Sequence, residues 1–164
     1  VPSQSIRANV VVVTKCPEHM QPIDRRVVAN ALQLPSYQQL VFSHITYQPL
    51  TLPGTPLLVT GIANPQPMLA YLREQYPNTE LLAFPDHHIF TNNDLEIIRA
   101  KAENYICVVT TEKDYMRLQH TALVKQLGNK LYVQTIKTDF GIDKEAFDRA
   151  IRLYVSENNR NSKH

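Results

Sequence analysis

An aspartate and two histidines, Asp86, His87 and His88, directly follow the short apolar run of residues 81–84. The run has no polar alternation, which is typical of a strand covered on both faces of a sheet. Pro85 has no backbone N–H and restricts the residue before it, so we predict that the strand ends there. Ligands and catalytic groups collect at the carboxyl ends of strands in open parallel α/β sheets. These three side chains are therefore the first candidates for chemistry.

Polar groups follow three further predicted strands in the same way. If the sheet is parallel, all four strand ends open on one edge, where helices also begin. Lysines offer point charge to phosphate, and helix N-termini bind anions through unpaired N–H groups. The plain interpretation of this edge is an anion or phosphate site. The candidate substrate-binding residues at these ends are Lys15, Gly61, Asn64, Thr111, Glu112, Lys113 and Asp114.

His87 is the strongest candidate for catalysis, and Asp86 lies beside it in the sequence. An imidazole can carry a proton near neutral pH or steer a carboxylate, but a loop histidine can equally serve only to hydrogen-bond its own turn. Asp86 is either a helper for His87 or a turn-forming residue whose side chain bonds to the backbone. We predict that His88 is structural, because neighbouring side chains diverge.

The substrate-binding candidates also have structural interpretations. Lys15 and Lys113 can be solvated charges, which contribute little in most proteins. Glu112 and Asp114 can be first-turn acids that the helix dipole favours. Gly61 can be an ordinary turn glycine. The residue types alone leave both interpretations of each position open.

Strands and helices alternate along the chain by hydrophobic periodicity. This order predicts parallel strands with right-handed crossovers in a three-layer, Rossmann-like α/β sandwich with a mostly parallel sheet. Residues 37–49 read as an extended connector, and the prolines and glycine of residues 49–56 predict a linker. We expect one helix across residues 115–127, and the methionines and aromatic residues of the helices in the core. Asp143 is expected to cap a last helix whose apolar face carries Phe147, Ala150, Ile151, Tyr154 and Val155.

The composition excludes several classes of function. The 164 residues are 43% hydrophobic and 20% charged, so the chain should fold. Its net charge of only +2 gives no electrostatic reason to expect nucleic-acid binding. Its two cysteines fit a reducing cytosol better than a disulfide framework.

Two catalytic motifs are absent from the sequence, the P-loop pattern G-x-x-x-x-G-K-S/T and the nucleophile pattern G-x-S-x-G. Asp86-His87-His88 is similar to the motif of the metal-dependent DHH phosphoesterases, but the earlier strand ends lack the required aspartates, so no metal site is expected.

Four stretches occur in a fixed order along the chain and together resemble the C-terminal half of the tetraacyldisaccharide 4'-kinase family, the lipid A kinases. The resemblance covers about residues 7 to 118. It rests on residues 7–9 with Thr14 and Lys15, on 58–65 (LVTGIANP), on 84–90 (FPDHHIF) and on 110–114 (TTEKD).

The resemblance implies an enzyme that transfers the γ-phosphate of ATP, with Mg²⁺, to the 4'-hydroxyl of a tetraacyldisaccharide 1-phosphate. The family has two α/β lobes joined by a β linker, with the active cleft between them. ATP and Mg²⁺ are held mainly by the N-terminal half, which carries the P-loop and is missing here. The resemblance places Asp86 and His87 at the cleft, with His87 partnering an aspartate of the first half. Lys15 and residues 111–114 match family positions.

We therefore interpret the chain, which opens without an initiator Met, as a fragment of such a kinase, inactive alone because the P-loop half is missing. Residues 1–35 are expected to be a remnant of the first, nucleotide-binding lobe, 36–56 the β linker, 57–158 the C-terminal lobe and 159–164 a flexible tail. The expected partners are the lipid A disaccharide precursor, the missing half and, for the full-length protein, the cytoplasmic face of the inner membrane. The alternatives are a metal-dependent phosphoesterase or a non-catalytic α/β module that binds a sugar phosphate.

Overall fold

The structure of the chain is a computed structural model that describes residues 7–161, with side chains to residue 156. Within that range the chain forms eight strands and six α-helices. They are β1 Val10–Val13, α1 Pro22–Leu32, β2 Gln39–Phe42, β3 His44–Tyr47, β4 Pro56–Thr60, α2 Gln66–Gln75, β5 Glu80–Ala83, α3 Asn92–Ala102, β6 Cys107–Thr111, α4 Glu112–Leu118, α5 Ala122–Leu127, β7 Leu131–Gln134, β8 Ile136–Asp139 and α6 Lys144–Asn161.

Two compact units make up the chain. One contains, among the described residues, 7–46 and 137–161, and the other is Tyr47–Ile136. This division differs from the expected boundaries, because α6 groups with the beginning of the chain and not with a lobe of residues 57–158. The expected tail also differs, since α6 extends through Asn161, and residues 162–164 lie outside the described range.

The unit Tyr47–Ile136 contains a four-stranded sheet in the order β5-β4-β6-β7, and every pairing in it is parallel. The middle of β4 pairs with both neighbours, since Leu58 lies opposite Leu81 on one side and Val109 on the other. Leu57 and Val59 face one apolar cluster with α3 and α5, whereas Leu58 faces a second cluster with α2. The expected α/β sandwich with a mostly parallel sheet is confirmed.

Local capping hydrogen bonds determine where the helices after β5 and β6 begin. The hydroxyl of Thr91 accepts a hydrogen bond from the backbone N–H of Asp94, whose carboxylate accepts one from the N–H of Thr91, so α3 begins with a complete capping box. Thr111 caps α4 through the N–H of Asp114 in the same way. Gly128 ends α5 at φ 49°, as expected for a residue that tolerates the left-handed region.

The first unit contains a separate two-stranded parallel sheet of β1 and β2. β2 therefore differs from the predicted connector, and its Val41 is fully buried. Asp143 directly precedes α6, the position predicted for its cap. Its carboxylate accepts hydrogen bonds from Arg25 at 2.7 Å and from the N–H of Phe42 at 2.8 Å, and the second bond satisfies an outward-facing donor of β2.

β5 lies at the edge of the sheet, and its contacts agree with a strand covered on both faces, since Leu81 packs against the cluster with α2 and Leu82 against the cluster with α3 and α5. Two other expectations were wrong. The helix predicted across residues 115–127 is interrupted, because the hydroxyl of Thr121 donates to the carbonyl of Leu118 and ends α4. Met116 and Tyr154 were predicted for the core with the other helical methionines and aromatic residues, but both are exposed. Ile151 and Val155, on the predicted apolar face of α6, are exposed as well. Periodicity identifies an apolar face but not what covers it.

Candidate functional site

The turn after β5 presents Asp86 and His87 to solvent. Oδ1 of Asp86 accepts a hydrogen bond from the backbone N–H of His87 at 3.0 Å, and the N–H of His88 donates to the carbonyl of Pro85 at 3.2 Å. His87 adopts φ 58°, a conformation that is uncommon for residues other than glycine. The side chain of His87 is 78% exposed and that of Asp86 44%, with Nε2 of the imidazole 3.6 Å from Oδ2. The turn thus holds an accessible imidazole beside a carboxylate.

His88 faces the protein and fixes the turn from behind. Its Nε2 lies 3.0 Å from Oδ2 of Asp94, and its ring stacks on Phe84 with centroids 5.1 Å apart. Two hydrogen bonds from Thr91 and then the one with His88 lower the pKa of Asp94 from 3.8 to about 2. These contacts agree with the structural role predicted for His88.

Asp114 is a buried carboxylate that joins three elements. Oδ2 accepts hydrogen bonds from the hydroxyl of Thr60 at 2.8 Å, from the N–H of Gly61 at 3.0 Å and from the hydroxyl of Thr111 at 2.8 Å. Oδ1 accepts one from Nη1 of Arg117 at 3.0 Å. A fully buried carboxylate requires such compensation, because an unpaired buried charge is costly. Asp114 therefore ties the ends of β4 and β6 to α4.

Gly61 is required by the closeness of these elements. A Cβ at this position would lie 3.1 Å from the carbonyl oxygen of Pro85, 3.3 Å from Cβ of His88 and 3.4 Å from Oδ1 of Asp114. The first two distances are tighter than ordinary van der Waals contact. The end of β4 thus packs directly beneath the turn that carries His87, and any side chain would push that turn outward.

Arg117 belongs to the site, although the sequence analysis did not identify it. Its Nη2 lies 3.4 Å from Nδ1 of His87 while its Nη1 contacts Asp114. The i, i+3 spacing to Asp114 on α4 was a signal for the ion pair. The contact with His87 joins residues 30 positions apart and follows only from the fold.

The other predicted residues take different positions. Lys113 is exposed in the first turn of α4, and Oε2 of Glu112 accepts a hydrogen bond from the N–H of Ile136 at 3.3 Å. Asn64 is exposed and its Oδ1 accepts one from the N–H of Gln66 at 3.3 Å, at the start of α2. Lys15 lies in the first compact unit, two residues after β1, exposed and at φ 58°. Its strand is not in the four-stranded sheet, so the expectation that all four strand ends share one sheet edge was wrong.

No group of three or more histidine, cysteine, aspartate or glutamate side chains in residues 7–161 is arranged to hold a metal ion. Over the same part of the chain, no helix has both the length and the apolar character that crossing a bilayer requires.

Chemically, the edge of the Tyr47–Ile136 sheet combines an accessible imidazole with the cationic groups of Arg117 and Lys113. An imidazole can donate or accept a proton or orient a carboxylate, and guanidinium and ammonium groups attract anions. The arrangement fits proton handling or charge stabilisation next to an anionic reactant.

Comparisons with known proteins identify a family and several relatives that are similar to this chain. The family model for Tetraacyldisaccharide-1-P 4'-kinase matches residues 2–156. Proteins named Tetraacyldisaccharide 4'-kinase are similar to the chain in Flavobacterium johnsoniae (39% identity over 165 residues, 93% of this chain and 46% of the relative), Phocaeicola vulgatus (38% over 177 residues, 95% and 48%) and Bacteroides thetaiotaomicron (36% over 185 residues, 95% and 48%). The chain spans about half the length of the curated relatives it matches. No solved structure matches it significantly.

Proposed function

Since this chain belongs to the tetraacyldisaccharide-1-P 4'-kinase family, we propose that it forms the C-terminal portion of a kinase that acts in lipid A biosynthesis. The proposed reaction transfers the γ-phosphate of ATP to the 4'-hydroxyl of a tetraacyldisaccharide 1-phosphate. The observation that carries the proposal beyond family membership is the exposed imidazole of His87, at the edge where α/β sheets bind ligands.

The residues of this chain do not fit the nucleotide and its metal. The sequence has no P-loop, the described residues contain no candidate metal cluster, and the buried carboxylate of Asp114 is engaged by four donors. We assign ATP and Mg²⁺ to the half of the protein outside this chain.

The proposed role of the second compact unit is to supply proton handling and positive charge to a cleft. Phosphoryl transfer depends mainly on positioning and on stabilising charge, so a lobe that brings such groups can act without holding the nucleotide. In this proposal His87 holds or accepts a proton, or orients an acidic group of the other half. Asp86 supports the turn through the N–H of His87.

The predicted substrate-binding residues divide into two groups in this proposal. Lys113 and Asn64 are exposed and are proposed to face the anionic disaccharide phosphate. Lys15 is exposed in the other compact unit, and its substrate-binding role stays a prediction from the sequence. Gly61, Thr111 and Asp114 contact one another and are proposed to shape the edge that carries His87. Glu112 is proposed to hold the segment that follows β7 through the N–H of Ile136.

The proposed partners follow from the substrate. The whole protein would bind a lipid disaccharide whose acyl chains lie in a bilayer, so we propose peripheral association with the cytoplasmic face of the inner membrane. The other partner is the remaining half of the same polypeptide, which would contribute the second wall of the cleft.

The proposal is tested by comparing three samples: the full-length protein, this chain alone, and a full-length His120→Ala variant as an exposed-histidine control. Each is incubated with γ-labelled ATP, Mg²⁺ and tetraacyldisaccharide 1-phosphate. We expect labelled lipid from the full-length protein and its control, and none from the chain alone. Failure of the full-length protein to label the lipid, or labelling by the chain alone, would overturn the proposal. Hydrolysis of a phosphodiester with Mn²⁺ by the chain alone would support the phosphoesterase alternative instead.

A further inference from the structure

Arg117 lies between the most buried charge of the site and its most exposed imidazole. Nη1 donates to Oδ1 of Asp114 at 3.0 Å, and Nη2 lies 3.4 Å from Nδ1 of His87. The Asp114 side chain is fully buried, that of Arg117 is 29% exposed and that of His87 is 78% exposed. The guanidinium therefore extends from the interior to the reactive surface.

The chemistry of the two groups determines which atom donates and which accepts in the hydrogen bond between Arg117 and His87. A guanidinium has only N–H donors, so Nδ1 must offer its lone pair when it bonds to Arg117. The exchangeable proton of a neutral ring is then on Nε2, the nitrogen 3.6 Å from Oδ2 of Asp86. We propose that Arg117 is a positioning residue for His87, which orients the imidazole and keeps the proton on Nε2. This inference rests on the proposed function, since it explains how the proposed catalytic group is held.

The anchor on Asp114 is what distinguishes Arg117 from a solvated surface arginine. Long exposed side chains lose entropy when they are held in one geometry, and most exposed ion pairs contribute little. Here Asp114 is already fixed by Thr60, Gly61 and Thr111. The guanidinium is thereby immobilised before it contacts His87, as pre-organised active-site groups are.

The backbone of the turn also restrains the position of the His87 side chain. His87 adopts φ 58°, and its N–H donates to Oδ1 of Asp86. The left-handed conformation is held by the same turn that packs over Gly61. Backbone and guanidinium together leave the otherwise exposed ring with one preferred placement.

The first test uses nitrogen NMR of the histidine side chains of this chain, at a pH where the imidazoles are neutral. In the unsubstituted chain we expect the shifts of a single tautomer for His87, with Nδ1 unprotonated. Arg117→Met should move both ring nitrogens toward the averaged values of a mobile ring. Arg117→Lys, which keeps a cationic donor, should retain most of the original pattern. The matched control is Arg99→Met, which removes an arginine that pairs with Glu96 and Glu103 on α3 and should leave His87 unchanged. Identical His87 shifts in Arg117→Met and the unsubstituted chain would overturn the inference.

The second test is a double-mutant cycle on the kcat of the full-length protein. Arg117→Met should lower kcat about tenfold through misplacement of the imidazole, with little change in the KM for ATP, and Arg117→Lys should recover most of it. In a His87→Ala background, Arg117→Met should cause no further loss, because residues that act through one another are not additive. An equal loss in both backgrounds would overturn the positioning role. If His87→Ala alone leaves kcat unchanged, His87 has no catalytic role and Arg117 cannot act through it. The NMR comparison then still tests whether Arg117 orients the imidazole of His87.

Discussion

Oδ2 of Asp114 accepts a hydrogen bond of 2.8 Å from the hydroxyl of Thr60, a residue 54 positions earlier in the sequence. This bond joins the first residues of α4 to the end of β4, at the edge of the sheet where the candidate site lies. Because the same carboxylate also contacts Arg117, the position of the candidate edge depends on one buried carboxylate.

Replacing Asp114 by alanine should lower the free energy of unfolding by about 3 kcal/mol, because buried donors of Thr60 and Gly61 lose their acceptor. The measurement is chemical denaturation of this chain. Asp148→Ala is the matched control, since Asp148 forms an exposed i, i+4 pair with Lys144 and its loss should cost less than about 0.5 kcal/mol. Equal effects of the two substitutions would show that Asp114 does not have the structural role described.

Substituting Gly61 by alanine should destabilise the chain by about 1 to 2 kcal/mol. The added Cβ would lie 3.1 Å from the backbone carbonyl of Pro85, and a backbone atom cannot move aside as a flexible side chain can. Thermal unfolding measures the loss, and amide shifts of residues 85–88 should change with it. An unchanged midpoint with unchanged shifts would argue that the strand end is not crowded.

The pH dependence of stability should contain a contribution from Asp94. The hydrogen bonds from Thr91, followed by the one with His88, lower the pKa of Asp94 from 3.8 to about 2 in the folded chain. A group whose pKa is lower when folded adds stability above its unfolded value, and that stability is lost as the pH falls through the folded value. The contribution should therefore be complete above about pH 4 and disappear toward pH 2.

Unfolding free energies of the unsubstituted chain and of Asp94→Asn between pH 2 and pH 5 check this prediction. The variant should have a shallower slope across that range. Thr91→Ala should have an intermediate slope, because it removes the hydroxyl bond to Asp94 but leaves the backbone N–H. Parallel curves for all three proteins would contradict the assignment.

The two cysteines should react with thiol reagents at very different rates. Cys107 is fully buried, and burial raises the pKa of its thiol, whereas Cys16 is partly exposed. Since the thiolate is the reacting form, a colorimetric disulfide reagent should modify one thiol quickly in the folded chain and the second only on unfolding. Cys16→Ser should abolish the fast phase. Two equally fast thiols would contradict the burial of β6.

The sequence was sufficient for the parts of the fold that depend on local chemistry. The apolar run of residues 81–84 predicted a strand that ends before Pro85, and β5 ends at Ala83. The parallel strand pairing followed from the alternation of strands with helices. Local hydrogen bonds to the hydroxyls of Thr91 and Thr111 then start α3 and α4.

The parts that sequence analysis could not supply depend on contacts across the fold. Asp114 was visible as a possible first-turn acid, but its bonds to Thr60 and Gly61 require β4 and β6 to be neighbours. Arg117 carries no motif of its own. Likewise, the periodicity of α6 predicted its apolar face but not its burial, and Ile151 and Val155 on that face are about half exposed.

The most direct test of the central claim is the kcat for lipid phosphorylation by the full-length protein carrying His87→Ala, with His120→Ala as the exposed-histidine control. If His87 handles a proton or orients a reacting group, its loss should lower kcat by about a hundredfold or more, with a smaller change in the KM for ATP, while the control remains active. A kcat for His87→Ala equal to that of the unsubstituted enzyme would contradict the account.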